Sequence, residues 1–391
     1  MYRKFKADQI FTGYEFLPGN KVLITSGAGE IVDVVDEGDA GDNVEIFQGI
    51  LSPGFINCHC HLELSHLKGF IPKRTGLVDF VFKIVTERHF EEAEILSAIS
   101  SAEEEMTRNG IVAVGDICNN SLTIAQKIKG NLWYRNFIET SGFPPSVAVQ
   151  RFQRSVDFYN SYAACLQNNS IVPHAPYSVS PELFQMINDF PGNDILSIHN
   201  QEITDENLLF ENRQGDLLRM FEKMNIDISF FKPPGKTSLQ TYLPYLNKLQ
   251  SLILVHNVDT SKEDIMFSNS QFRTYNSQLF YCLCPNANLY ISNLLPDINK
   301  FVEHDCSIVL GTDSLASNDQ LSILDEMKTI NQHFPVIELG KLFQWATING
   351  ARALGCDEIY GSFEKGKKPG IIQVRGVNGN NINDAEEKRI I

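Results

Sequence analysis

Short apolar runs recur along this chain, and helical stretches separate most of them. Eight runs are predicted strands, at residues 54–61, 111–116, 132–139, 171–174, 195–199, 252–256, 280–284 and 308–313. Intervening stretches such as 91–108 and 181–188 have a helical pattern. Alternating strand–helix units predict an α/β fold, a (β/α)8 TIM-type barrel, whose functional residues lie at the carboxyl ends of the strands.

The two ends of the chain have a different pattern. Residues 1–50 contain alternating apolar and polar runs joined by a hairpin signal at 26–29, and residues 370–375 repeat this style. Because chain termini often lie close together, the two ends are expected to pair. The predicted organisation is a small composite β-sandwich from residues 1–50 and 358–391 around a barrel at 51–357.

Composition and charge limit the partners of the chain. Lys and Arg number 33 against 48 Asp and Glu, and the resulting net charge of −15 opposes binding to nucleic acid or to an anionic membrane. No apolar run is long enough to span a bilayer, and the start lacks the apolar core of a signal peptide. Eight scattered cysteines indicate free thiols in a reducing cytoplasm. The expected partner is a small-molecule substrate, and a homo-oligomer is compatible with the sequence.

The histidine pair His59 and His61 ends the first predicted barrel strand. Alternate residues on a strand point the same way, so both imidazoles can bind one metal ion. The alternative is a pair of surface histidines after a turn. Cys58 and Cys60 should point away from a shared ion, and we expect both to be packing residues.

A second histidine–carboxylate element is His199 with Glu202. A histidine at a strand end can bind the ion. A glutamate three residues further on can lie beside it, take a proton from a metal-activated water and deliver that proton to the leaving group. Alternatively, Glu202 is a charge at a helix start, matched to the helix dipole.

Two further strands end in His256 and Asp313. A lone histidine such as His256 is more often a satisfied core residue than a ligand. An aspartate that ends an apolar strand needs a cation or several donors, and a metal supplies that cation. The loop that follows offers Ser314, Ser317 and Asn318 for contacts with the ligands or the substrate.

The order of these motifs resembles the amidohydrolase superfamily, in its mononuclear deaminase and chlorohydrolase branch. Further matches are residues 53–57, 173–182, 284–288 and 346–355. The resemblance implies that one Zn²⁺ or Fe²⁺, with Zn²⁺ the expected ion, is bound by His59, His61, His199 and Asp313. It implies catalytic assistance from Glu202 and His256. Binuclear members use a carboxylated lysine on the fourth strand, where this chain has His174, so one metal is expected.

The resemblance also suggests a substrate class. His174 and the run after it resemble S-adenosylhomocysteine and methylthioadenosine deaminases, in which the matching histidine contacts the purine. The stretch containing Glu63 is closer to aminofutalosine deaminases, although a helix-start charge is an alternative for Glu63. Phe80, followed by Glu87 or His89, departs from the usual tryptophan and ribose-binding glutamate. Phe80, Glu63 and Ser314 are candidate substrate contacts beside His174.

The predicted function is hydrolytic deamination of an adenine-type nucleoside. Metal-activated hydroxide would attack the amine-bearing ring carbon, with Glu202 moving the proton and His256 orienting the hydroxide. One alternative is an amidohydrolase or chlorohydrolase acting on guanine, a triazine or another small heterocycle. Another is a non-catalytic barrel scaffold, which would need neither Glu202 nor His256.

Overall fold

The computed structural model describes residues 2–87, 89–249, 251–275 and 277–391. Its strands are β1 Tyr2–Lys6, β2 Gln9–Phe11, β3 Phe16–Pro18, β4 Lys21–Ser26, β5 Ile31–Asp36, β6 Glu45–Ile46, β7 Ile50–Ser52, β8 Phe55–Cys60, β9 Ile111–Cys118, β10 Trp133–Thr140, β11 Asn169–Pro173, β12 Ile195–Asn200, β13 Ser251–His256, β14 Gln278–Leu283, β15 Ser307–Leu310, β16 Ile372–Arg375 and β17 Glu386–Arg389.

The helices mostly follow the barrel strands. They are α1 Leu77–Glu87, α2 Glu92–Arg108, α3 Ile124–Lys127, α4 Ala148–Ala163, α5 Pro181–Asp189, α6 Thr204–Asn212, α7 Leu217–Lys223, α8 Ser238–Tyr242, α9 Lys262–Tyr275, α10 Pro285–Ile291, α11 Ile298–Glu303, α12 Ile323–His333, α13 Leu339–Gln344 and α14 Gly350–Leu354. Local sequence explains several starts. Ser180 caps α5, whose first residue is a proline, and Ser322 caps α12.

Eight parallel strands, β8 to β15, form the barrel. They pair as two four-stranded sheets, β8–β9–β10–β11 and β12–β13–β14–β15. The sheets meet on one side where the His199 amide donates to the His174 carbonyl at 3.0 Å. On the other side the amides of Thr312 and Asp313 donate to the His59 carbonyl at 3.1 and 3.0 Å. The predicted (β/α)8 barrel is therefore confirmed, with each predicted strand at its expected place.

The two chain ends share one sheet, as the sequence predicted. Strand β16 pairs antiparallel with both β17 and β7, and the full order is β17–β16–β7–β2–β3. A second sheet, β5–β4–β1–β6, packs on the first through a common apolar cluster. Phe5, Leu23 and Ile31 come from one sheet, and Ile10 and Leu51 from the other. The exact domain boundaries stay a prediction.

A second apolar cluster lies on segments that follow the carboxyl ends of the barrel strands. Its members include Leu67 after β8, Phe143 after β10, Tyr177 after β11, Ile203 after β12 and Ala316 after β15. Helices α1, α6 and α7 complete this cluster. Among the residues that the structure describes, none of the helices combines the length and the apolar character that crossing a bilayer requires.

Candidate active site

Four predicted ligands converge at the carboxyl ends of three barrel strands. The Nε2 atom of His61 lies 3.2 Å from that of His59 and 3.3 Å from that of His199. The Oδ1 atom of Asp313 is 3.3 Å from Nε2 of His61 and 3.5 Å from Nε2 of His59. All four residues are buried. Three imidazole nitrogens and one carboxylate oxygen thus face one another in a small, buried volume.

The backbone brings Asp313 to the histidine pair. Two consecutive amides, of Thr312 and Asp313, donate to the His59 carbonyl, and Asp313 adopts a left-handed conformation with φ of 56°. A non-glycine residue in this region is uncommon and needs support from its surroundings. Asn57 supplies it, because its side chain accepts from the Thr312 amide at 3.1 Å and donates to the Thr312 hydroxyl at 2.8 Å.

Neighbouring groups orient two of the four side chains. The Nδ1 atom of His199 donates to the His174 carbonyl at 2.7 Å, so its Nε2 presents a lone pair to the cluster. The Ser317 hydroxyl donates to Oδ2 of Asp313 at 2.6 Å and leaves Oδ1 for the cluster. Such contacts are typical of groups that hold metal ligands in place.

The donor set fits a divalent cation. For ligands about 2.0–2.1 Å from zinc and separated by angles of roughly 90–120°, the ligand–ligand distances are about 2.9–3.6 Å. The measured separations of 3.2, 3.3, 3.3 and 3.5 Å lie in that range. Imidazole nitrogens this close cannot all be satisfied by protons shared among themselves, whereas a cation can accept all the lone pairs at once.

Glu202 and His256 lie beside the cluster. Oε1 of Glu202 is 3.7 Å from Nε2 of His256, and both side chains are buried. Nδ2 of Asn288 donates to Nδ1 of His256 at 3.1 Å, which places the imidazole proton on the nitrogen that faces Glu202. His256 also groups with His59 and His199 within metal-binding distances. Helix α6 begins after Glu202, at Thr204, so Glu202 is not an exposed charge at the helix start.

The surroundings shift the pKa values of these groups in different directions. Burial, together with the charges of Asp313 and Glu206, raises the pKa of Glu202 well above its usual range. Burial lowers the pKa of His256 to about 3. Burial alone would raise the pKa of Asp313, but the hydrogen bond from His59 and the nearby imidazoles hold it well below its usual range. A carboxyl group whose pKa is raised toward that of its reaction partners is suited both to taking a proton and to returning it.

The predicted substrate contacts lie around this centre. The ring of His174 is 4.9 Å from that of His199, and its Nδ1 contacts the Ser178 hydroxyl at 2.7 Å. Glu63 lies in the first turn of the 3-10 helix Leu62–Leu67, as the helix-start alternative expects, and its side chain is buried and accepts from the Asn119 amide at 3.0 Å.

The remaining predicted positions divide into buried and exposed ones. Phe80 is buried in the second apolar cluster, and the Ser314 hydroxyl lies 3.2 Å from that of Ser317. Glu87 and His89, the two candidates for a ribose contact, are both exposed. Cys58 and Cys60 are fully buried in the main apolar core, as predicted.

Four residues of the site escaped the sequence reasoning. Asn288 orients His256, and Tyr177 is buried near the carboxyl groups of Glu202 and Glu206. Glu139 places Oε1 3.6 Å from Nδ1 of His199. Because Glu139 ends a predicted strand, the strand-end rule that selected the ligands could have found it. Glu206 lies within a helix and carries no such signal.

Comparison with known proteins supports the predicted resemblance. Residues 234–388 match the model of the amidohydrolase family. The resemblance to the deaminase branch of the amidohydrolases is confirmed. The chain is 25% identical over 375 residues to a 5-methylthioadenosine/S-adenosylhomocysteine deaminase of Saccharophagus degradans, an alignment that covers 88% of this chain and 77% of the relative.

Solved structures share its fold. Aminofutalosine deaminase of Helicobacter pylori in complex with methylthio-coformycin superposes with a TM-score of 0.80 at 22% identity, covering 100% of both chains. An atrazine chlorohydrolase of Arthrobacter aurescens, complexed with zinc, superposes with a TM-score of 0.74 at 17% identity, covering 98% of this chain and 91% of that chain.

Proposed function

We propose that this protein is a metal-dependent hydrolase of carbon–nitrogen bonds that deaminates an adenine-type nucleoside. The convergence of His59, His61, His199 and Asp313 beside the buried Glu202 carries the proposal. A non-catalytic scaffold would need neither a buried cluster of imidazoles nor an adjacent carboxyl group with a raised pKa.

The four ligands would hold one divalent ion, for which we propose zinc. Imidazole and carboxylate donors suit this ion, and the related atrazine chlorohydrolase is complexed with it. When bound, a divalent cation supplies Lewis-acid chemistry, because it lowers the pKa of water toward 7.

Side chains of the protein itself transfer the protons and orient the attacking water. Glu202 takes a proton from the attacking water and returns it to the departing amine, which leaves as ammonia. His256, which presents its Nε2 proton toward Glu202, donates a hydrogen bond to the attacking oxygen and holds it in line with the ring carbon. The apolar cluster on the loops after the strands limits the access of further water.

The substrate class rests on the relatives and on His174. The relative from Saccharophagus degradans is named for methylthioadenosine and S-adenosylhomocysteine, and the aminofutalosine deaminase structure contains methylthio-coformycin. His174, beside the ring of His199, is placed to donate to a purine ring nitrogen. Glu63, Phe80 and Ser314 are proposed as further contacts to the nucleoside.

The eight cysteines are free, which supports a reducing cytoplasm as the site of action.

The test is ammonia release and loss of adenine-type absorbance from methylthioadenosine, S-adenosylhomocysteine and aminofutalosine. The zinc-loaded enzyme should turn over at least one of them. Glu202→Gln should keep its zinc and its fold but lose roughly 10²–10⁴-fold in kcat. Activity on guanine or a triazine, with no turnover of the three nucleosides, would favour the alternative function, an amidohydrolase or chlorohydrolase acting on a small heterocycle. Near-normal turnover by the Glu202→Gln variant would remove Glu202 from the mechanism.

A further inference from the structure

A fully buried ion pair lies next to the metal cluster, and the mechanism above does not use it. Nζ of Lys127 is 2.5 Å from Oδ2 of Asp116, and neither side chain is exposed to solvent. Lys127 also donates to Oδ1 of Asn136 at 2.8 Å and lies 3.2 Å from Sγ of Cys118. Its ammonium group is 5.0 Å from the ring centroid of Tyr134.

Such a pair is costly to bury. Taking two charges out of water costs several kcal/mol per ion, and apolar residues of similar volume are often as stable. Burial alone would lower the pKa of Lys127, but Asp116 and Cys118 raise it above its ordinary value, so the lysine stays charged. We therefore expect the pair to contribute by holding a neighbouring group in place rather than by stabilising the fold.

The second carboxylate oxygen of Asp116 contacts the group that the ion pair holds in place. Oδ1 accepts the backbone N–H of Leu62 at 2.7 Å. Leu62 directly follows His61 and begins a short 3-10 helix, Leu62–Leu67. The first amides of a helix lack a partner within the helix, so this N–H depends on an outside acceptor. The bond fixes the backbone where the chain leaves His61.

We propose that Asp116 is a positioning residue for His61, and that Lys127 is the counter-ion that holds the Asp116 carboxylate in place inside the barrel. Asp116 anchors the Leu62 amide and thereby sets the direction of the His61 imidazole toward the other ligands. The proposal rests on the proposed metal-dependent function, because its consequence is a change in metal affinity.

The test compares two double variants that both lack the charges. In D116N/K127M the asparagine can still accept from the Leu62 amide, whereas in D116L/K127M a side chain of similar shape cannot. The unpaired Asn136 oxygen is common to both variants, so its cost cancels in the comparison. Zinc affinity is measured by competition with a chromogenic chelator, and thermal unfolding of each zinc-free protein reports on its stability.

We expect D116N/K127M to bind zinc within about threefold of the unmodified protein and D116L/K127M to bind at least tenfold more weakly. The zinc-free D116L/K127M protein should unfold at a somewhat lower temperature than D116N/K127M, because its buried Leu62 amide has no acceptor, and both variants should be folded at the temperature of the zinc titration. Equal zinc affinity in the two variants would overturn the proposal. So would equally weak binding, since charge rather than the hydrogen bond would then matter. Absence of zinc binding by the unmodified protein would instead refute the metal site itself.

A second pair of variants tests the same bond from the donor side, in case D116L/K127M does not fold. Proline is tolerated at the first position of a helix but has no N–H. L62P therefore removes the hydrogen bond and leaves the ion pair intact, whereas L62A shortens the same buried side chain and keeps the N–H. Weaker zinc binding by L62P than by L62A supports the proposal, and equal binding contradicts it.

Discussion

Single side chains determine whether the cluster can bind an ion. His61 lies between the other ligands, because its Nε2 is within 3.3 Å of His59, His199 and Asp313 alike. Its removal takes away the donor closest to all the others. A site with three remaining donors and a cavity in place of the fourth should bind zinc much more weakly.

His61→Ala should therefore lose most of its zinc. Metal content is measured by elemental analysis after dialysis against buffer without metal. His333→Ala is the matched control, since His333 is an exposed histidine at the end of α12 and should leave the zinc content unchanged. Full zinc retention by His61→Ala would contradict the ligand assignment.

His174 should act on the substrate rather than on the metal. Its carbonyl orients His199, but its side chain contacts only the Ser178 hydroxyl among the hydrogen bonds that the structure describes. His174→Ala keeps the carbonyl, so zinc content should persist. The kcat/KM for a purine nucleoside should fall by a factor that corresponds to about 1–3 kcal/mol of lost transition-state stabilisation, the cost of a buried hydrogen bond left unmade. Loss of zinc from this variant would assign its side chain to the metal site.

The residues of the metal cluster could be predicted because ligand chemistry is local in sequence. Histidine or aspartate at a strand end marked His59, His61, His199 and Asp313 as candidates. The family resemblance separated them from His174 and His256, which also end predicted strands. The same rule missed the tautomer of His199, which depends on a carbonyl in the neighbouring strand. Contacts of this kind depend on packing between strands, and a single sequence does not specify them.

At the scale of elements, the closure of the barrel and the metal cluster depend on one contact. Strand β15 reaches β8 through the turn at residues 311–313, in which the amides of Thr312 and Asp313 donate to the His59 carbonyl. Gly311 permits this approach. A Cβ atom there would lie 2.8 Å from Cβ of His59 and 2.9 Å from Sγ of Cys282. The sequence motif that contains Asp313 also contains Gly311, but only the packing around Gly311 shows why a glycine is required there.

Gly311→Ala should therefore displace His59. We expect a loss of about 1–3 kcal/mol in the free energy of unfolding from overpacking, and weaker zinc binding. Denaturant unfolding and chelator competition measure the two effects. Gly340→Ala in α13 is the control, because its nearest heavy atom is 3.9 Å away and alanine favours a helix by up to about 1 kcal/mol. Unchanged zinc affinity in Gly311→Ala would show that the turn tolerates the added methyl group.

The elements that the sequence did not predict lie between β12 and β13. Helices α6, α7 and α8 occupy this connection, and they contribute Leu209, Leu217 and Phe221 to the cluster at the carboxyl ends of the strands. Strand periodicity predicted the barrel because each strand is short and apolar throughout. Long connections of mixed composition carry no comparable repeat, and their structure depends on the surface they cover.

At the scale of the whole molecule, the folded protein holds several carboxyl groups away from water in a chain of net charge −15. Glu206 in α6 is one of them. Its Oε1 accepts from the Ser238 hydroxyl at 2.5 Å and from the Gln201 amide at 2.9 Å. Its Oε2 is buried and has no hydrogen-bond partner among the residues that the structure describes. Burial raises the pKa of Glu206 from 4.5 to about 7. The folded protein therefore retains a proton that the unfolded chain releases.

The sign of the pH effect follows from this difference. Between about pH 4.5 and 7 the folded state binds one more proton than the unfolded state, so stability falls as the pH rises, by about 1.4 kcal/mol per pH unit. Stability from this group is fully present below pH 4.5 and lost above pH 7. Glu206→Gln keeps the Oε1 acceptor but cannot ionise. It should therefore remove this pH-dependent contribution to the free energy of unfolding.

Urea unfolding of both proteins from pH 5 to pH 8 measures the difference. Relative to Glu206→Gln, the unmodified protein should lose up to about 3 kcal/mol across this interval. Titrating groups that do not interact with Glu206 act equally on both proteins and cancel. Glu182→Gln, an exposed glutamate in the first turn of α5, should change the profile by less than about 0.5 kcal/mol. Parallel pH profiles for the unmodified protein and Glu206→Gln would mean that Glu206 is ionised in the folded state throughout, with a partner for its second oxygen.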